Sequence, residues 1–292
     1  MLGHKLCQRL PLHGFEVVGT VRKHSDLQSL YPGVYDRCRL VTDIDVLDDG
    51  ALDRVFMNVQ PDVVVNCVGI VKQAPEASDP LLSVAINAYL PHKLAELCAD
   101  QSRRLIHIST DCVFAGTRGA YREDDESDAK DRYGKSKFLG ETTSMQPAAL
   151  TLRTSIIGRE LSEPGHGLTS WFLSQQGKKV KGFANAVFSG MTTLELAAVI
   201  ARIIQQGGNL HGLRHVASTP IDKLTLLKLI RREYGLNIEI ERDETVCIDR
   251  SLVMHRFQEE TGYEPPDWES MIREMRADDT PYGAWRTMQA CG

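Results

Sequence analysis

Short apolar runs that alternate with helical stretches are the feature of this sequence that most restricts its fold. Five runs are predicted as strands: Phe15–Val21, Arg37–Thr42, Pro61–Val68, Arg104–Ser109 and Ala149–Ser155. The stretches Leu47–Val59, Leu82–Ala99 and Tyr133–Thr143 are predicted as the helices between them. Because strands joined through helices run parallel and are covered on both faces, the pattern predicts a doubly wound α/β fold with a parallel sheet.

Polar residues that follow these strands mark a candidate catalytic site, because ligands of such folds bind at the carboxyl ends of the strands. Ser109 and Thr110 end one apolar run, and Tyr133 and Lys137 follow on the next predicted helix. Residues four apart share a helix face, so the phenol and the ammonium group point into one site. A nearby cation lowers the pKa of a phenol, and we expect Tyr133 to be a general acid that protonates a carbonyl oxygen. The hydroxyls of Ser109 and Thr110 are expected to hold the same oxygen.

A second Tyr-x-x-x-Lys pair, Tyr89 and Lys93, is a weaker candidate. Pro91 lies between its two residues and disturbs the helical register, and no strand with terminal hydroxyls precedes it at the right distance. We therefore expect Tyr89 to be structural.

Composition excludes several other classes of protein. The chain has 292 residues, of which 42% are hydrophobic and 25% charged, as in ordinary globular proteins. Its net charge is −5 and the sequence contains no basic block, which argues against nucleic acid as a partner. The seven cysteines occur singly, without the spacing of metal ligands, so no metal is expected. No apolar run reaches the roughly 18 residues of a membrane span, and no signal peptide is visible. These features predict a cytoplasmic enzyme with neither nucleic acid nor a membrane as partner.

The chain after residue 155 is predicted to form a smaller substrate-binding domain. A helix over Thr193–Gln206, a strand over Arg214–Ala217, a helix over Leu224–Tyr234, a strand over Asn237–Glu241 and a helix after Pro266 are expected. The predicted division is a nucleotide-binding domain over 1–156, to which a helix over 192–207 returns, and a substrate domain formed by 157–191 and 208–292.

Several motifs together resemble a known family. They are Ser109-Thr110-Asp111-Cys112-Val113-Phe114-Ala115-Gly116, Tyr133-Gly134-Lys135-Ser136-Lys137, Gly140-Glu141, Ile86-Asn87-Ala88, Leu152-Arg153-Thr154-Ser155 and Phe188-Ser189-Gly190-Met191-Thr192. They are similar to the extended short-chain dehydrogenase/reductases, and within them to the dTDP-4-dehydrorhamnose reductase group. The resemblance runs from Met1 to about Trp268. It implies a Rossmann-like fold and an NAD(P)-dependent oxidoreductase that reduces the 4-keto group of a nucleotide-linked 6-deoxy sugar for polysaccharide biosynthesis, with a homodimer as one arrangement.

The resemblance also implies roles for single residues. Tyr133 is then the proton donor, Lys137 binds the nicotinamide ribose and tunes Tyr133, and Thr110 holds the substrate carbonyl. Further residues implied to bind cofactor are Gly3, Asp45, Val46, Cys67, Val68, Gly69 and Asn87, with Asp43 as the alternative in the register of Asp45, and those implied to bind substrate are Asp111, Cys112 and Arg250. Cys112 stands where the reductases usually carry a tyrosine. The related 4,6-dehydratases need Asp-Glu after the threonine, so dehydration is not expected here.

The end of the second strand of such a fold sets the cofactor preference. An acidic residue there binds the ribose 2′-hydroxyl, whereas an arginine suits a 2′-phosphate. This sequence has Arg22-Lys23-His24 and no acid at that place. NADPH is therefore predicted, with NADH as the alternative.

The beginning of the chain departs from the family pattern. Folds of this kind open with a buried strand and a Gly-x-x-Gly-x-x-Gly turn that lets the backbone approach the pyrophosphate. Here only Gly3 matches that turn, so the first strand is expected to be absent from the sheet and roughly ten preceding residues to be missing.

Two hypotheses follow from these features. The first is a nucleotide-sugar reductase, which Thr110, Tyr133 and Lys137 favour. The second is a non-catalytic relative that resembles the regulatory subunit of methionine adenosyltransferase and binds another protein, which the incomplete phosphate loop favours.

Overall fold

The computed structural model of the protein describes residues 1–22, 31–142, 149–161, 165–207 and 210–282. Lys23, His24 and Thr143 lie outside these described residues. Within the described ranges, no helix combines the length and the apolar character needed to cross a membrane. The same part of the chain holds no cluster of three or more His, Cys, Asp or Glu side chains suited to a metal ion.

The described chain alternates strands with helices. The strands are β1 (Val18–Thr20), β2 (Arg39–Val41), β3 (Val63–Asn66), β4 (Arg104–Thr110), β5 (Ala149–Thr154), β6 (Ile156–Ile157), β7 (Lys179–Phe188), β8 (Met191–Thr192), β9 (Gly212–His215), β10 (Ile221–Asp222) and β11 (Glu239–Asp249). The α-helices are α1 (Leu2–Arg9), α2 (Asp49–Val59), α3 (Pro80–Val84), α4 (Leu90–Ala99), α5 (Arg132–Leu139), α6 (Leu168–Leu173), α7 (Thr193–Gln205), α8 (Lys223–Tyr234), α9 (His255–Thr261) and α10 (Trp268–Ala277). A π-helical turn, Ala85–Tyr89, joins α3 to α4.

Aspartate caps explain where several helices begin. The side chain of Asp48 accepts a hydrogen bond from the Gly50 amide at the start of α2, and Asp131 does the same for the Gly134 amide in α5. Asp267 caps α10 through the amide of Ser270. Each cap satisfies one of the free amide groups in the first turn of a helix, which stabilises that end by about 1 kcal/mol.

The main sheet is parallel, with the strand order β3-β4-β5-β9. Leu105, Ile106, Leu150 and Leu152 in its two central strands are all at most 1% exposed. Such strands are covered on both faces by helices, as the apolar runs predicted. The α/β Rossmann-like fold class is therefore confirmed.

The other two predicted strands form a separate parallel pair, β1-β2. Among the described residues no backbone pairing joins β1 to β3, and a cavity of about 650 Å³ lies between them. Its walls are the segments 15–21 and 59–68 together with apolar side chains of α1 and α2. The sheet thus has an open position where the first strand of such a fold is expected.

The tail forms a second, three-stranded sheet with the order β10-β7-β11. Strand β7 was not predicted, because Gly182 and Asn185 interrupt its apolar pattern. The predicted strand Asn237–Glu241 is the start of the longer β11, and the predicted helix Thr193–Gln206 is α7, which packs against α1. The division at residues 156 and 191 stays a prediction.

Candidate active site

Helix α5 carries Tyr133 and Lys137 to the carboxyl end of β4. At Gly134 a Cβ atom would overlap the carbonyl oxygen of Cys112, and at Gly140 it would overlap that of Asn87. Both ends of the helix therefore lie directly on neighbouring backbone, which only glycine permits. A Tyr-Gly pair at the helix start is the sequence signal for this close approach.

Lys137 is 4% exposed and is held by the adjacent strand. Its Nζ atom donates a hydrogen bond to the carbonyl oxygen of Ile108 at 2.7 Å and lies 3.4 Å from Nε2 of His107. Burial lowers the pKa of Lys137 to about 8, although the nearby carboxylate of Glu141 opposes the shift. The amine therefore loses its proton at a lower pH than an exposed lysine does.

The expectation that a cation lowers the pKa of Tyr133 is wrong for this structure. Burial, and after it the neighbouring Cys112, raises the pKa of the phenol, while a hydrogen bond with Thr110 lowers it less. The amine of Lys137 is turned to the main chain of β4 rather than to the phenol oxygen. Tyr133 thus keeps its proton at neutral pH, which is the state that a proton donor requires.

Of the two hydroxyls predicted to share the carbonyl oxygen, only that of Thr110 adjoins Tyr133. Thr110 Oγ1 also accepts the amide of Cys112 at 3.1 Å. Ser109 is different, because its Oγ donates to Glu141 Oε1 at 2.7 Å. Glu141 in turn forms a buried, bidentate ion pair with Arg153. The expectation that Ser109 holds the substrate carbonyl oxygen is therefore wrong, because its hydroxyl donates to the buried carboxylate of Glu141.

Asp111 and Cys112 lie in the short 3-10 turn directly after β4. Burial raises the pKa of the Asp111 carboxyl, and the cations of Lys223 and Arg250 oppose that shift. Burial, followed by the charge of Asp111, raises the pKa of the Cys112 thiol to about 12. The thiol consequently stays protonated and offers a weak donor rather than a nucleophile.

The backbone after β3 forms another wall beside α5. Cys67, Val68 and Gly69 are exposed. Asn87, which is 1% exposed, holds this segment in place: its Oδ1 accepts the Ile70 amide at 2.9 Å and its Nδ2 donates to the Ile70 carbonyl at 3.0 Å. The side chain of Asn87 thus supports the wall and is itself directed at protein groups.

The remaining predicted cofactor residues lie along the same edge of the fold. Gly3 lies in the first turn of α1, and a Cβ atom there would be 3.9 Å from Cys67 Cβ. Arg22 is exposed just after β1, and Asp45 and Val46 follow β2, where Asp45 accepts the amide of Leu47. Asp43, the alternative to Asp45, has a positive φ of 60° and accepts the hydroxyl of Thr42. The structure therefore separates these residues into two groups, one beside α5 and one on the β1-β2 pair.

Two cations from the tail face the Asp111–Val113 turn. The guanidinium group of Arg250 donates from Nε to the Phe114 carbonyl at 2.7 Å. The ammonium group of Lys223 lies 3.6 Å from the centre of the Phe188 ring, and the charges of Asp111 and Arg250 both act on it. Lys223 was missed in the sequence because it reaches the site only through the packing of α8, although its place after the capping Asp222 is visible.

The site can therefore perform acid chemistry on a polar, anionic molecule. Tyr133 holds a proton beside the Thr110 hydroxyl, and Lys223 and Arg250 supply positive charge next to the same turn. Arginine and lysine at this place suit phosphate groups.

Comparison with known proteins agrees with this arrangement. The family model described as RmlD substrate binding domain matches residues 1–280. The chain is 28% identical to the spore coat polysaccharide biosynthesis protein SpsK of Bacillus subtilis, over 94% of this chain and 92% of that protein. It is 30% identical to a dTDP-4-dehydrorhamnose reductase of Mycolicibacterium smegmatis, over 61% of this chain and 54% of that protein.

Solved structures share the fold. The crystal structure of a dTDP-4-dehydrorhamnose reductase from Bacillus anthracis in complex with NADP superimposes with a TM-score of 0.75 at 19% identity, covering 91% of this chain and 100% of that one. The family match extends over nearly the whole chain and confirms the resemblance found in the sequence motifs. This protein belongs to the RmlD substrate-binding domain family.

Proposed function

We propose that this protein reduces the 4-keto group of a nucleotide-linked 6-deoxy sugar with NADPH. Membership of the family makes the chain an NAD(P)-dependent oxidoreductase that uses a nicotinamide cofactor. The observation that supports the finer proposal is the convergence of Thr110, Tyr133 and Lys137 at the end of β4, beside two cations suited to a diphosphate.

The proposed chemistry divides between cofactor and protein. When bound, the nicotinamide would supply the hydride for the carbonyl carbon. Tyr133 gives its proton to the carbonyl oxygen, so that the ketone becomes a secondary alcohol. Thr110 donates a hydrogen bond to the same oxygen and places it within reach of the phenol. General acid catalysis of this kind contributes about 100-fold to 10,000-fold to the rate.

The residues present fit such a cofactor at its nicotinamide end. Lys137 lies on the same helix face as Tyr133, beside the exposed segment Cys67–Gly69, and its titratable amine can bind ribose hydroxyls. Gly3 at the start of α1 adjoins that segment and is proposed to line the pyrophosphate, while Asn87 holds the segment from behind. Arg22 is proposed to bind the 2′-phosphate, and Asp45 and Val46 the adenine.

The substrate is proposed to bind over the Asp111–Val113 turn. Arg250 and Lys223 then bind the diphosphate of the nucleotide sugar, and Asp111 and Cys112 contact the sugar. The smaller side chain of Cys112 leaves more room at the sugar than a tyrosine would. The name of the Bacillus subtilis relative supports a role in polysaccharide biosynthesis.

The organisation around this site is part of the proposal. Residues 1–156, with the helix over 192–207, bind the cofactor, and residues 157–191 and 208–292 bind the substrate. We propose that the protein acts in the cytoplasm and assembles as a homodimer.

The test is a panel of nucleotide-linked 4-keto-6-deoxy sugars that differ in their base, with loss of NADPH followed by absorbance. We expect at least one sugar in the panel to cause oxidation of NADPH. The Tyr133→Phe variant should not oxidise NADPH with that sugar. Tyr89→Phe is the matched control, because Tyr89 and Lys93 have the same spacing but Tyr89 is exposed on another helical segment. If NADPH binds and no sugar in the panel is reduced, the proposed reaction is wrong and a binding subunit becomes the better interpretation.

A further inference from the structure

Buried polar residues connect the end of β3 to Lys137. Asn66, which is 3% exposed, accepts the amide of Val68 through its Oδ1 at 3.0 Å. This bond fixes which end of the carboxamide faces which way. The Nδ2 atom of Asn66 is therefore the one that lies 3.1 Å from Nδ1 of His107.

The hydrogen-bond inventory then determines the tautomer of His107. A carboxamide nitrogen has hydrogens to donate and no lone pair to accept with, so Nδ1 of His107 must be the acceptor. Burial is the main cause that lowers the pKa of His107 well below its usual range, so the ring is neutral. A neutral imidazole that accepts at Nδ1 carries its proton on Nε2.

That Nε2–H group faces the amine of Lys137 at 3.4 Å. A protonated lysine has only hydrogens to offer there, and two N–H groups would oppose each other. A neutral amine has a lone pair that accepts from Nε2–H while it still donates to the Ile108 carbonyl. The pairing of Asn66 with His107 therefore favours the neutral form of Lys137.

Other groups around Lys137 act on its charge as well. Glu141 on the segment after α5 and Cys67 after β3 both favour the charged form, and burial favours the neutral form. Tyr133 lies one turn earlier on the same helix, and His92 on α4 acts on His107. The carboxylate of Glu141 is already paired with Arg153, which weakens its pull on Lys137.

We propose that His107, oriented by Asn66, is a positioning residue that donates Nε2–H to Lys137 and thereby lowers the pH at which that side chain gains its charge. The proposal deepens the function proposed above and names a residue that contacts neither substrate nor cofactor. By this proposal, Asn66 on β3 and His107 on β4 determine the pH range in which Lys137 is charged.

The first measurement is made on the unaltered protein. Nitrogen-15 NMR of the histidine ring distinguishes protonated from unprotonated nitrogens, and His107→Phe identifies the signals. We expect Nε2 of His107 to carry the proton and Nδ1 to be bare. A proton on Nδ1 would overturn the proposal, whether or not the protein reduces any sugar.

The second measurement inverts the tautomer. In Asn66→Asp a carboxylate oxygen replaces Nδ2 and can only accept, so Nδ1 of His107 becomes the donor. The unprotonated Nε2 then accepts a hydrogen bond from a charged Lys137. We expect the NMR titration midpoint of Lys137, identified by its loss in Lys137→Met, to rise by about one pH unit or more.

The added negative charge also raises this midpoint, and the double variant Asn66→Asp/His107→Phe keeps the charge without the ring. A clearly smaller rise in the double variant supports the proposal. An equal rise in both variants means that charge alone acts, and the positioning role of His107 is then refuted.

Discussion

No side-chain carbon fits at Gly134, because it would overlap the carbonyl oxygen of Cys112. This contact sets the distance between helix α5 and the turn after β4. Tyr133 comes to lie beside Thr110 because the residue next to it has no side chain. The same turn carries Asp111 and Cys112, so one glycine aligns the proposed acid with the proposed sugar site.

We expect Gly134→Ala to lower the melting temperature and to slow turnover. Alanine has a higher helix propensity than glycine, which favours the helix by about 1 kcal/mol. Its Cβ atom, however, would collide with the backbone carbonyl of Cys112, and overpacking of this kind costs about 1 to 3 kcal/mol. Thermal unfolding and steady-state kinetics measure the two effects. Lys135→Ala, at an exposed position of the same helix, is the control and should change neither. A Gly134→Ala protein with unchanged turnover would show that this close approach does not position Tyr133.

Arg22→Asp is expected to shift cofactor preference from NADPH towards NADH. The change removes a cation suited to the 2′-phosphate and offers an acceptor to the ribose hydroxyls. A charge-assisted hydrogen bond contributes about 1.5 to 3 kcal/mol, so the ratio of NADPH to NADH affinity should fall tenfold or more. Fluorescence titration with both cofactors measures it, and Arg273→Asp, exposed on α10, makes the same charge change elsewhere. If the ratio stays constant, other residues recognise the 2′-phosphate.

Lys223→Met should weaken binding of the nucleotide sugar while leaving NADPH affinity unchanged. Methionine keeps the apolar stem against Phe188 but removes the charge that faces Asp111 and Arg250. Loss of one charged contact to phosphate corresponds to about a tenfold rise in KM. Lys228→Met on the same helix is exposed and serves as the control. Equal KM values for the two variants would remove Lys223 from the substrate site.

An engineered extension ahead of Met1 is expected to fill the cavity between β1 and β3. About six apolar residues followed by Gly-Ala-Thr-Gly would form a strand and a glycine turn, and each backbone group it pairs removes a cost of about 1 to 3 kcal/mol. Melting temperature and NADPH affinity should both rise. The same extension with two prolines in the strand cannot complete the ladders and should raise neither. An equal gain from the proline version would mean that the extension acts outside the cavity.

Local patterns in the sequence predicted the parallel sheet and the Tyr133-Lys137 pair, because both depend on periodicity along the chain. Other features depend on groups distant in the chain and were not predictable. Ser109 turns to Glu141 because a buried ion pair needs a donor there, and Lys223 reaches the site only through packing of the tail. The raised pKa of Tyr133 follows from its burial, which no local pattern reports.

The division of the sheet separates two tasks of the proposed enzyme. Arg22 follows β1, and Asp45 and Val46 follow β2, next to an apolar cluster that includes Tyr35 and Cys38. Thr110 instead ends β4 of the four-stranded sheet, and helix α5, which carries Tyr133 and Lys137, packs against that strand. Among the described residues no backbone ladder connects the two parts, so the pair can open locally at a smaller free-energy cost than the main sheet. Local opening of the β1-β2 pair can then abolish the preference for NADPH over NADH, while the arrangement of Thr110, Tyr133 and Lys137 stays unchanged.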